Sequence, residues 1–143
     1  MVQDLESLVQ NDGSRVSRRV FADQSVYDLE LERIFARSWL FLGHESQVAN
    51  KGDFFTSYMG EDPILVTRDN GGKVHAFLNA CLHRGMRVCR ADQGNAAAFT
   101  CSYHAWTYAN SGTLIGVPLH NDAYYGELDK SKYGLTPVPR LES

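Results

Sequence analysis

From residue 40 to about 117 the chain consists of short runs of β-branched and aromatic residues, broken every few positions by Gly, Asn or Asp. Residues 53–59 and 64–68 read as strands, and Asp69-Asn70-Gly71-Gly72 is a hairpin turn signal leading into a third strand over 73–79. Residues 97–100, 105–108 and 113–117 are shorter strands, with Asn110-Ser111-Gly112 as the turn before the last. Strands this short and this regularly spaced predict an antiparallel, mostly β body.

One segment carries a different period. Between Ser25 and Trp39, the residues Tyr27, Leu31, Ile34 and Phe35 recur at helical spacing, with Glu30, Glu32 and Arg33 on the other side. Ser25 with Asp28 predicts a capping-box start, Asp standing where Glu or Gln is usual. Residues 1 to about 20 are polar and unpatterned, as in Gln10-Asn11-Asp12-Gly13-Ser14, and read as an arm. Beyond Pro118 the pattern predicts loop with one helical turn near 127–133, and Pro137 and Pro139 forbid a regular finish.

Composition narrows the class. The 143 residues are 43% hydrophobic and 22% charged, which is globular and enough for one core. A net charge of −3 recommends neither nucleic acid nor an anionic membrane as a partner. No run approaches the roughly 18 apolar residues of a membrane span, and Met1-Val2-Gln3-Asp4-Leu5-Glu6 is not a secretory signal. Three cysteines is an odd count for a disulfide framework. The expectation is a cytoplasmic protein whose cysteines are thiols or metal ligands.

Two predicted strand ends carry matching pairs, Cys81-Leu82-His83 and Cys101-Ser102-Tyr103-His104, separated by the 17 residues 84–100. A structural zinc site usually takes both cysteines from one knuckle and both histidines from a helix. Here each loop supplies one sulfur and one imidazole. That distribution suits a binuclear centre, with Cys81 and Cys101 on one iron and His83 and His104 on the other; a structural zinc site is the alternative. Neutral imidazoles in place of two thiolates make reduction easier, hence roughly −150 to +300 mV against about −400 mV for plant-type ferredoxins.

The pattern C-x-H-x17-C-x-x-H resembles the Rieske iron–sulfur family. Respiratory-chain members carry a further cysteine in each loop and a membrane anchor; the two positions here are Met86 and Tyr103. Phe35-Ala36-Arg37-Ser38-Trp39, Gly43-His44-Glu45-Ser46, Gly52-Asp53 and Asn79-Ala80-Cys81-Leu82-His83-Arg84-Gly85-Met86-Arg87 resemble the N-terminal region of aromatic-ring-hydroxylating dioxygenase α subunits, nearest the naphthalene, biphenyl and polycyclic-hydrocarbon group. The resemblance implies a Rieske-type antiparallel β-sandwich over 39–143, incomplete at its C-terminal end. An arm and helix over 1–38 would pack on a catalytic domain that this chain does not contain. It also implies a [2Fe–2S] cluster fed by a reductase and ferredoxin, which relays electrons to a mononuclear Fe(II) in that domain. The implied assembly includes a β subunit and further α subunits, as α3β3. A free-standing Rieske ferredoxin is the alternative.

The same resemblance places Ala105 where the family usually has Gly, before Trp106; Ala would crowd the loop if its φ is positive. Arg84 is a candidate to offset cluster charge or steer an acidic partner, Tyr103 to donate to a cluster sulfur, and Trp106 to pack beneath the loop. Cys89 has no assigned role. His44, His75 and His120 are expected to be structural or surface residues, and Asn121-Asp122 a turn.

Overall fold

A computed structural model describes residues 5–10 and 12–142. Residues 1–4, Asn11 and Ser143, part of the lead-in and of the C-terminal end read above, lie outside the described residues. The chain forms two compact units, residues 1–41 and 42–143.

The first unit holds α1 (Gln24–Arg33), followed by a single 3-10 turn over Phe35–Arg37. Its N-cap is Asp23, not Ser25: the Asp23 carboxylate accepts from the Ser25 N–H and hydroxyl at 3.0 and 2.6 Å. Ser25 donates to the cap because the helix begins two residues earlier than a Ser25 cap would set it. The lead-in is also more ordered than its composition implies. Short 3-10 turns span Glu6–Leu8 and Arg18–Phe21, and Val9 bridges Val16 around a turn in which the Gly13 N–H meets the Gln10 carbonyl.

The second unit contains two antiparallel sheets. The four-stranded sheet has the order β3-β2-β1-β4, from β1 (Asp53–Met59), β2 (Asp62–Arg68), β3 (Val74–Leu78) and β4 (Gln93–Asn95). The three-stranded sheet is β5 (Ala98–Thr100), β6 (Thr107–Ala109) and β7 (Leu114–Gly116), with β6 central. Alternation along β1–β3 sends Phe54, Leu65 and Phe77 to one face and Phe55, Ile64, Val66 and Ala76 to the other. The first face shares a core with Phe99, Tyr108 and Leu114 of the smaller sheet, and Phe54 meets Phe99 edge-on at 5.2 Å. The strand pattern predicted the antiparallel β body, and this packing of sheet on sheet is the sandwich that the resemblance implied.

Two elements were not legible. β4 is three exposed residues without apolar alternation, held by pairing of 53–55 with 93–95. α2 (His120–Tyr124) occupies the predicted loop, and the later 3-10 turn narrows to Lys130–Tyr133. The final segment returns to the edge of β3, where Leu78 donates to the Thr136 carbonyl and Val138 to that of Ala76. Among the described residues, no helix is long and apolar enough to cross a membrane.

Candidate metal centre

β3 and β5 each run into a loop that starts at a cysteine, and the two loops share one hydrogen-bond plan. Cys81 donates its N–H to the Met86 carbonyl and accepts from Gly85; Cys101 donates to the Trp106 carbonyl and accepts from Ala105, all at 2.8–2.9 Å. Each cysteine therefore closes its own loop with backbone bonds four and five residues on. Its side chain is left free to point inward.

Depth sorts the four donors by type. Cys81 and Cys101 are buried, at 3% and 2% exposure, while His83 and His104 are half-buried. The two imidazoles meet edge-on with centroids 4.5 Å apart. Among the described residues no three His, Cys, Asp or Glu side chains gather round a single point. The donors form instead a sulfur pair inside and a nitrogen pair outside, the division a two-iron group requires. His83 Nδ1 is buried with no hydrogen-bond partner, which suits a nitrogen meant for a metal. Burial first, then His104 and Arg84, pushes the His83 pKa below its usual value, favouring the neutral, ligating ring.

Asn79 holds the first loop. It is 1% exposed, and its side-chain oxygen accepts from the N–H groups of Val88 and Cys89 at 3.1 and 2.9 Å, while its amide donates to the Cys89 carbonyl at 2.7 Å. The sequence pattern gave Asn79 no task; an amide two residues before a candidate cysteine was the available signal.

The hydroxyl that reaches one of the two candidate sulfurs belongs to Tyr108. It is fully buried on β6, lies 3.1 Å from Cys81 Sγ, and its oxygen accepts from the Leu82 N–H at 3.2 Å. With that oxygen accepting from Leu82, its own proton is available to the sulfur. Burial, and then the bond to Cys81, pushes the Tyr108 pKa up, so the phenol keeps its proton. Tyr103 makes no such contact with either cysteine: it is 52% exposed, with its ring 3.8 Å from that of His104. It lies within the loop after Cys101, whereas Tyr108 comes from the strand beneath. Trp106 is buried and lies parallel to His83 at 4.8 Å. Arg84 is exposed.

Other candidates lie elsewhere. Cys89 is buried, its thiol pKa raised by burial. His75 Nε2 lies 2.7 Å from Asp69, His44 caps the 3-10 turn Glu45–Val48, and His120 Nε2 donates to the Leu128 carbonyl at 3.1 Å.

Residues 38–133 match the model of the Rieske [2Fe–2S] domain family. The chain belongs to that family. It is 51% identical to the α subunit of biphenyl 2,3-dioxygenase from Rhodococcus jostii strain RHA1, over 92% of this chain and 28% of that protein. The α subunit of benzene 1,2-dioxygenase from Pseudomonas putida is 50% identical over 91% of this chain and 29% of its own length. Among solved structures, naphthalene 1,2-dioxygenase from Rhodococcus sp. superposes with a TM-score of 0.84 at 49% identity, covering 90% of this chain and 29% of that one. The Rieske chain thus spans under a third of the length of these relatives. The first two are α subunits of dioxygenases named for biphenyl and benzene, the third is a dioxygenase named for naphthalene, and the family's group is a [2Fe–2S] cluster.

Proposed function

We propose that Cys81, His83, Cys101 and His104 hold the [2Fe–2S] cluster, and that the chain is the electron-relay part of a multicomponent aromatic-ring-hydroxylating dioxygenase. The observation that carries this reading is the pair of matched loops, with thiols buried, imidazoles outward, and His83 Nδ1 buried without a partner. When bound, the cluster takes up and releases one electron at a time. The chain's own residues keep the sulfurs dry, bring the imidazole side toward the surface, and supply the Tyr108 hydroxyl to Cys81. Electrons enter from a reductase and ferredoxin and leave for a mononuclear iron in a catalytic domain outside this chain, in a cytoplasmic α3β3 assembly.

Residues 1–38 are the part that packs on that catalytic domain, and 39–143 the Rieske domain. Three large aromatics of residues 1–41 are exposed, Phe21 at 83%, Trp39 at 66% and Phe41 at 84%, which supports a covered surface in the full protein.

The test is the visible and EPR spectrum of the anaerobically purified chain before and after dithionite. The expected result is a red-brown protein that gives, on reduction, a rhombic signal of low average g. A colourless protein carrying stoichiometric zinc overturns the proposal.

A further inference from the structure

A ligating histidine is ordinarily fixed by a hydrogen bond from its second ring nitrogen. For His83 the fixing contact within this chain is a ring face. The indole of Trp106 lies parallel to the imidazole, 7° between planes and 4.8 Å between centroids. Trp106 is itself 3% exposed and is boxed edge-on by Tyr133 at 5.7 Å and Tyr124 at 6.3 Å. An indole held on two edges cannot rotate without displacing a tyrosine, so its plane is set by the box and passed to His83.

His104 is supported differently. Its neighbours are the edge of His83 and the half-exposed ring of Tyr103, tilted 32° at 3.8 Å. The two histidines of the site therefore differ in how firmly the protein orients them. Tyr124 ends α2 and Tyr133 ends the 3-10 turn at Lys130–Tyr133, both after the second sheet is complete. The backbone at each end of α2 is left-handed, φ 54° at Leu119 and 53° at Tyr125, although neither residue is glycine. Both tyrosines pack against the core that contains Trp106.

We propose that Trp106 is a positioning residue for His83, and that residues 118–133 act on the first loop through it by bracing the indole with Tyr124 and Tyr133. The proposal rests on His83 being a cluster ligand.

The experiment uses the full chain with its cluster, reduced, and reads the nitrogen couplings of the two histidines by pulsed EPR. Three variants are compared with the parent: W106L, W106F and Y133L. In W106L one of the two nitrogen couplings is expected to shift and broaden while the other stays, a split that general loosening of the fold would not give. W106F, which keeps a ring face, restores the sharp signal, and Y133L falls between. Two unchanged couplings in W106L overturn the proposal. If W106L loses its cluster, Y133L decides, and parental couplings there overturn it. A parent that holds a cluster without two histidine couplings removes the ligand assignment, and this proposal with it; a parent with both couplings and indifferent variants removes the positioning role alone.

Discussion

Gly85 and Ala105 occupy the same place in the two cluster loops. Each lies four residues after its cysteine, donates its N–H to that cysteine's carbonyl, and has a left-handed backbone, φ 71° and 54°. The second loop thus puts a Cβ where the first has none. A left-handed backbone costs a non-glycine residue about 1–2 kcal/mol, offset in part by the roughly 0.5–1 kcal/mol that glycine loses in chain entropy. Ala105→Gly is expected to stabilise the chain by about 0.5–1 kcal/mol. A Cβ added at Gly85 meets nothing within 4 Å, so Gly85→Ala isolates the backbone cost and is expected to destabilise by a similar amount. Urea midpoints of the two variants check both signs; a destabilised Ala105→Gly defeats the argument.

Asn79→Ala is expected to be far more damaging. It leaves the N–H groups of Val88 and Cys89 and the carbonyl of Cys89 without their side-chain partner in a buried place. At about 1–3 kcal/mol for each unpaired buried group, the loss is roughly 3 kcal/mol or more. A denaturation curve displaced by under about 1 kcal/mol indicates that water replaces the amide.

These two sites mark how far the sequence could be read. Strands with apolar alternation or a clear turn, such as 53–59 and the Asp69–Gly72 hairpin, were visible because local pattern and burial agree. The four ligand candidates were visible because spacing carries the chemistry. β4 was not, since 93–95 is exposed and forms only by pairing with β1. Nor was α2, a five-residue helix whose left-handed ends no composition rule marks. Tyr108 was missed for a related reason: its contact with Cys81 spans 27 residues and arises only when β6 is laid beneath the first loop. The left-handed φ of Ala105, by contrast, was raised as a question by the glycine usual at that place in the resembled family, and only the backbone could answer it.

Tyr108→Phe removes a donor from Cys81 Sγ while keeping the buried ring. With Cys81 as the proposed ligand, a donor to its sulfur stabilises the more negative, reduced state, so its loss lowers the potential. A hydrogen bond worth about 1 kcal/mol corresponds to a shift on the order of 40 mV in a one-electron couple. Redox titration of the variant reads this directly; an unchanged or raised potential contradicts it.

The N-terminal unit has its own pH dependence. The Ser25 hydroxyl, and then Arg19 at 2.7 Å, hold Asp23 at a pKa of about 2 against the usual 3.8. The folded pKa is the lower one, so the stability Asp23 lends is complete above 3.8 and is lost as pH falls towards about 2. The Ser25 amide and the Asp23 carboxyl are expected to titrate together in that window by NMR. A midpoint near 3.8 shows that the cap contributes nothing, and Asp23→Ala is expected to abolish the transition.

Replacing a proposed histidine ligand by cysteine tests the site's electrostatics. His83→Cys or His104→Cys adds a thiolate where a neutral imidazole stood, and one more negative charge opposes the incoming electron. The potential is expected to fall from the Rieske range towards the roughly −400 mV of all-cysteine clusters. The two positions should not tolerate the change equally. At His83 the substitution also removes a ring stacked on buried Trp106, leaving the indole face bare; at His104 the lost ring lies against half-exposed Tyr103. Cluster content is therefore expected to survive better in His104→Cys, making it the variant on which the potential is measured. A cluster retained at an unchanged potential in His104→Cys shows that His104 is not a ligand.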